Sequence, residues 1–239
     1  MEFSHKSVLL EETIASLNIK SNGIYLDGTA GGAGHSKEIA KMLTDGRLIA
    51  VDQDPDAVKI AKERLEGLPA TVVQSNFTEI PQIIKSLNID KLDGILLDLG
   101  VSSWQLDNAD RGFSFHNDAP LDMRMSKSGL TAADLVNTLT VQELTDIFRN
   151  YGEEKFSFRI ACEIERERAL APIETTLQLA EIIKNAVPAA VRRDGHPARK
   201  CFQALRIEVN HELQSLQEGL KAAFSSLNVG GVLSIITFH

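Results

Sequence analysis

Tyr25-Leu-Asp-Gly-Thr-Ala-Gly-Gly-Ala-Gly-His35 decides how this chain folds. The apolar run Ile24 to Leu26 reads as a buried strand and ends in Asp27. Gly28, Gly31, Gly32 and Gly34 crowd into the turn that follows, and Ile39, Met42 and Leu43 then fall on one helical face. Strand, glycine turn and helix N-terminus together bring backbone N–H groups and the helix dipole to a ligand. Glycine lets the main chain turn tightly and approach that ligand closely. The stretch alone fits a plain glycine turn as well as a nucleotide site, so its neighbours must decide.

The same rhythm repeats downstream. Arg47 to Val51 is a second strand, closed by Asp52. Asp54 caps the next helix, with Pro55 at its first position, and Val58, Ala61 and Leu65 recur at helical spacing. Ala70 to Val73 is a third strand, with Phe77 in the loop beyond it. A helix over about 79–87 carries Ile80, Ile83, Ile84 and Leu87, and Leu92 to Leu97 is a fourth strand, closed by Asp98. Strands this apolar, joined by helices, predict an α/β fold with a mostly parallel sheet covered on both faces. From Trp104 to Lys200 no convincing strand occurs. Thr131-x-x-Asp134 and Thr140-x-x-Glu143 are capping signals, and three apolar helix faces follow, which predicts a helical insert over 104–200. The α/β pattern returns with a helix from Leu213 to Leu227, a turn at Gly230-Gly231 and a fifth strand from Val232 to Phe238. The expected domains are therefore 1–103 with 201–239, interrupted by 104–200.

Composition narrows the function. A net charge of −8 argues against non-specific coating of nucleic acid, and no apolar run is long enough for a transmembrane helix. Met1 to Lys6 has no secretory pattern, and Cys162 and Cys201 lack the spacing of a zinc site or a disulfide framework. A reducing cytoplasm, no membrane and no metal are expected.

In a doubly wound sheet the ligand binds outside the carboxyl ends of the strands, and here those ends carry Asp27, Asp52, Asn76 with Phe77, and Asp98. Asp52 suits ribose hydroxyls in NAD and S-adenosylmethionine sites alike. Asp27 would repel a pyrophosphate and attract the ammonium of a methionine moiety, and Gly28-x-x-Gly31-Gly-x-Gly34 departs from G-x-G-x-x-G. Both features favour S-adenosylmethionine.

The long motifs then bring a family into view. Asp27-Gly-Thr-Ala-Gly-Gly-Ala-Gly-His-Ser36, Asp52-Gln-Asp-Pro55, Asp93-Gly-Ile-Leu-Leu-Asp-Leu-Gly-Val-Ser-Ser-Trp-Gln-Leu106 and Arg111-Gly-Phe-Ser-Phe115 are four of them. Pro120-Leu-Asp-Met-Arg-Met125, Tyr151-Gly-Glu-Glu154 and Phe202-Gln-Ala-Leu-Arg-Ile-Glu-Val-Asn210 complete the set. Together they resemble the RsmH (MraW) family, bacterial methyltransferases acting on N4 of a cytidine in small-subunit 16S ribosomal RNA. The resemblance runs from Ser4 to the last residue. It implies a class I, Rossmann-like methyltransferase core with an RNA-recognising helical insert. It also implies cofactor contacts at Ala33, Gly34, His35, Asp52, Phe77, Asp98 and Gln105, and a partner in the small ribosomal subunit; it leaves room for a homodimer. The family continues past Thr237-Phe-His239 with further strands, so a chain ending there is expected to carry an exposed sheet edge. Ala198-Arg-Lys-Cys201 stands where the family has a hydroxyl residue before Phe202.

The expected chemistry is direct methyl transfer to the exocyclic amine. Asp98 is the candidate for orienting that amine, with a purely cofactor-binding role as the alternative. Lys184, Arg192, Arg193, Arg199, Lys200 and Arg206 form a basic cluster fit to meet phosphate, against Asp194 alone. Asp122 and Arg124 suit an active-site rim, His196 a structural or RNA-contacting role, and Arg111 to Phe115 either base stacking or packing. A methyltransferase for DNA or a small molecule, and a nucleotide-binding module without catalysis, are the rival readings.

Overall fold

The structure is a computed structural model and describes residues 7–189 and 196–237. It divides into two compact units, residues 1–103 with 213–239, and residues 104–212.

The first unit is a five-stranded parallel sheet. Its strands are β1 (Ile24–Asp27), β2 (Arg47–Asp52), β3 (Ala70–Gln74), β4 (Leu92–Asp98) and β5 (Leu227–Ile236), in the order β3-β2-β1-β4-β5. Because side chains alternate along a strand, the apolar runs fill two cores. Tyr25, Leu48, Ala50 and Leu96 pack on one face against α1 (Leu10–Leu17), α2 (Gly34–Lys41) and α3 (Pro55–Arg64). Leu26, Ile49, Val51, Ile95 and Leu97 pack on the other against α4 (Ile80–Ser86) and α11 (Glu212–Ser226). Near-continuous burial on both faces is what a parallel sheet requires.

Two local expectations change. Phe77 lies in a one-turn 3-10 helix, Phe77–Glu79, because Asn76 Oδ1 accepts the Thr78 N–H at 3.0 Å. Gly230-Gly231 does not end an element. It lies within β5, where residues 228–231 stand opposite Asp93 alone and the register jumps between Leu92↔Leu227 and Gly94↔Val232. Asp93 stabilises that irregularity by accepting from Ile24 N at 2.8 Å and Asn228 Nδ2 at 3.2 Å.

The second unit holds α5 (Ser103–Asp107, shared at its first residue), α6 (Ala132–Thr138), α7 (Val141–Asn150), α8 (Ser157–Arg168), α9 (Thr176–Ala186) and α10 (Ala198–Val209). Among the described residues its only β pairing is the bridge Pro120↔Thr175. The unit runs twelve residues past the expected boundary at Lys200: α10 packs on α7, α6 and α9 through Cys201, Phe202 and Leu205. Capping boxes start α6 at Thr131/Asp134, α7 at Thr140/Glu143 and α9 at Thr175/Gln178. Thr140→Ala deletes one such cap and is expected to cost about 1 kcal/mol in urea unfolding. Cys162 is exposed on α8 and Cys201 is buried in α10. No helix is long and apolar enough to cross a membrane among the described residues.

Candidate cofactor and RNA sites

The carboxyl ends of β1, β2 and β4 converge on the glycine loop, in two layers. The lower layer is buried. Asp27 Oδ2 accepts from the Ser36 hydroxyl at 2.6 Å and Oδ1 from Thr29 N–H at 3.2 Å, with the residue 1% exposed. Asp27 therefore braces the loop against α2 and does not face a ligand, which corrects the contact expected for it. Burial pushes its carboxyl up, against the hydrogen bonds from Ser36 and Thr29.

The upper layer is partly open. Asp52 Oδ2 accepts from Gly31 N–H at 2.7 Å and Oδ1 from Asp54 N–H at 2.9 Å, so the end of β2 is tied to the glycine loop. Gly31 sits at φ 49, and the Arg64 guanidinium holds the Gly32 carbonyl at 2.6 Å. A carboxylate has about four acceptor positions, so Asp52 keeps capacity for ligand hydroxyls. Burial raises its carboxyl from 3.8 to about 6, against the two backbone hydrogen bonds. The folded protein thus holds this proton more tightly than the unfolded chain. The resulting penalty is absent below 3.8 and grows as pH rises to about 6. Stability is expected to decline by about 1–2 kcal/mol across that window, screening by solvent included, and to lose that slope in Asp52→Asn. Urea melts of both proteins at each end of the window measure it.

Asp98 closes β4. Its backbone N–H donates to Thr29 Oγ1 at 2.6 Å, and His35 Nδ1 lies 3.9 Å from its Oδ2, beyond hydrogen-bond range. Burial raises the Asp98 carboxyl; the nearby His35 opposes this and Asp27 adds to it. His35 is 6% exposed, with Nε2 3.0 Å from the Val8 carbonyl. A carbonyl only accepts, so Nε2 carries a proton and Nδ1 faces Asp98. His35 is thus buried beside the Asp98 carboxylate, anchored to the backbone of Val8.

Ala33 is fully buried at φ 58 as the residue before α2, and a Cβ at Gly34 would stand 2.0 Å from Ser7 Oγ. Ser7 thus stands against Gly34, and Gly31, Gly32 and Gly34 are all partly exposed. Phe77 is half-buried with its ring on Gly219 of α11, where a Cβ would come within 2.3 Å of it. Thr29, Ser36 and Ser7 escaped the sequence reading, since each acts through a partner that only the fold supplies. A cleft of about 500 Å³ lined by Ile84, Lys85, Lys91 and Ser225 lies instead at the amino end of β4.

In the helical unit Gln105 is buried on α5. Arg111 is 7% exposed, and its Nη2 donates to the Arg124 and Met125 carbonyls at 2.8 and 3.0 Å. It is an internal brace, which corrects the RNA contact expected for it. Its partner segment contains Met123 at φ 63, an unusual conformation for a residue with a side chain. Asn210 holds that turn by accepting from Met125 N–H and donating to the Met123 carbonyl, both at 2.8 Å. The turn presents Asp122 and Arg124, paired through Nε at 2.9 Å and Nη2 at 2.7 Å and both partly exposed. That pairing lowers the Asp122 carboxyl despite desolvation. Arg199 and His196 are exposed, whereas Arg192 and Arg193 lie outside the described residues.

The sequence matches the MraW methylase family over residues 2–239. It is 56% identical over 242 residues to a ribosomal RNA small subunit methyltransferase H of Clostridium botulinum (strain Loch Maree / Type A3), covering 100% of this chain and 78% of that protein. It is 54% identical over 244 residues to the protein of the same name from Lachnospira eligens, with the same coverage. A solved SAM-dependent methyltransferase from Aquifex aeolicus aligns with 59% of this chain and 77% of its own at 17% identity and a TM-score of 0.32, too distant to add to the sequence match. Motifs, parallel sheet and full-length match agree: the chain belongs to the MraW methylase family.

Proposed function

We propose that the chain is an S-adenosylmethionine-dependent methyltransferase that modifies N4 of a cytidine in 16S ribosomal RNA, within the small ribosomal subunit in the cytoplasm. The observation that carries the cofactor is the pair of partly open carboxylates, Asp52 and Asp98, on either side of the glycine loop. S-adenosylmethionine fits this donor set: its ribose offers two hydroxyls to Asp52, and its sulfonium and ammonium charges are attracted where a pyrophosphate would be repelled. When bound, it supplies an electrophilic methyl group. Gly31 and Gly32 would receive the methionine part, and Phe77 would pack near the adenine.

The exocyclic amine of cytidine is a poor nucleophile, because its lone pair is delocalised into the ring. Asp98 accepts a hydrogen bond from that amine and fixes the direction of its lone pair. As the nitrogen gains its methyl, it must shed a proton, and a carboxylate with a raised pKa beside it is a suitable acceptor. Thr29 holds the backbone of Asp98 in place through its hydroxyl oxygen. The helical unit, with Asp122, Arg124 and Arg199 at its surface, is the RNA-recognising part. Assembly as a homodimer is compatible with this reading and is read by sedimentation.

Methyl transfer from labelled cofactor to isolated small subunits, set beside naked 16S RNA, DNA and metabolites, tests the reading. Label in the subunit RNA alone is expected. Label in DNA or a metabolite overturns the substrate, and cofactor binding without transfer to any acceptor overturns the enzyme.

A further inference from the structure

The helical unit carries a ring stack that the cofactor site does not use. The Phe115 and His196 rings are stacked at 4.7 Å with planes 27° apart. Phe202 closes the inner side edge-on at 5.1 Å, and His116 lies 5.1 Å from Phe115. Phe202 is buried, Phe115 half-buried, and both histidines exposed, so the stack rises from the core to the surface.

Its outermost ring is held in one orientation. His196 Nδ1 accepts the Ala198 N–H at 3.2 Å, which requires the tautomer with the proton on Nε2. Among the described residues Nε2 has no partner, so an N–H donor sits at the rim of an exposed ring. Burial lowers the His196 pKa, and Lys184 and His116 act in the same direction. With Nδ1 accepting a hydrogen bond, the imidazole is the neutral tautomer. Arg199, the second residue of α10, is exposed and makes no ion pair or side-chain hydrogen bond among the described residues.

A preformed neutral ring face beside a donor and an unpaired cation matches the needs of a splayed base, its 2′-hydroxyl and its phosphate. We infer that Phe115 and His196 form a stacking platform for one unpaired base of the RNA substrate, with Arg199 on the adjoining phosphate. The inference rests on the RNA-modifying reading above and adds the site at which the single-stranded part of that RNA is held. Duplex RNA keeps its bases stacked and gains nothing from the platform.

Fluorescence anisotropy with a short single-stranded oligoadenylate and an RNA duplex of equal length, at one fixed salt concentration, tests it. His196→Asn keeps a side-chain acceptor for Ala198 but removes the ring; His196→Tyr keeps a ring and removes the acceptor. About tenfold weaker single-strand binding is expected in His196→Asn, near-native binding in His196→Tyr, and little change for the duplex in either. The reverse order of the two variants, or equal losses on single strand and duplex, overturns the platform. Subunit methylation by the unaltered protein separates the two readings. Methylation with native oligoadenylate binding by His196→Asn sinks the platform alone; ring-dependent binding without methylation of any subunit sinks the enzymatic reading and leaves the platform standing.

Discussion

Asp98→Asn is expected to lower methyl-transfer turnover about a hundredfold or more while leaving cofactor affinity within about threefold of the native value. The substitution keeps size and leaves the backbone N–H bonded to Thr29 Oγ1. What changes is chemical. An amide at this place can still accept one hydrogen bond, but it cannot take up a proton, and its NH2 group can turn toward the incoming amine. A carboxylate that acts only in the transition state produces this split, since its loss lowers turnover and spares binding. Single-turnover methylation and calorimetric titration with cofactor, measured on the same preparation, read the two numbers. Unchanged turnover with weakened binding would move Asp98 from the reaction to the cofactor. Asp52→Asn provides the contrast: Asp52 is read as a ribose ligand, so its loss is expected to show first in cofactor affinity.

Gly112→Ala should be among the most destabilising loop substitutions in the helical unit, at about 3 kcal/mol. Two penalties coincide there. Gly112 sits at φ 71, where an L side chain is strained, and a Cβ would lie 2.4 Å from the Pro120 carbonyl and 2.7 Å from Asp122 N. Both contacts are backbone atoms, so no side chain can swing away. Gly129→Ala separates the terms: it has φ 86 and nothing within 4 Å of the new Cβ, so strain alone remains, at about 1 kcal/mol. Denaturant midpoints of the two variants give the difference directly. Equal midpoints would mean that the Pro120–Asp122 segment yields, and that the Met123 turn beside it is less tightly braced than its hydrogen bonds suggest.

The apolar strands and the residues closing them were legible in the chain, because burial on both sheet faces leaves an unbroken apolar run and an acid at its end is conspicuous. Asp52 and Asp98 stood out for that reason, and Asp54-Pro55 announced α3 through cap chemistry alone. What stayed hidden depends on partners far along the sequence. Arg111 reads as a surface cation until the Arg124 and Met125 carbonyls surround it. Asp27 reads as a ligand until Ser36 takes its outer oxygen. His35 looked like part of the loop's ligand face, and only the fold of the N-terminal segment turns it toward Val8. The placement of α10 depends on distant partners in the same way. An apolar stripe of Cys201, Phe202 and Leu205 shows that a helix is buried, but not which unit buries it.

The strand order has a consequence for how the protein emerges from the ribosome. β5 pairs with β4, yet all of residues 99–226 are translated between them. At usual elongation rates the edge of β4, with Ile95, Leu96 and Leu97, waits on the order of ten seconds for its neighbour. During that interval the capped helices, whose contacts are local, can assemble first, and the nascent sheet ends in an unsatisfied apolar edge. Chaperone demand during synthesis should therefore peak in the pause between β4 and β5 and fall once Leu227 to Ile236 has docked.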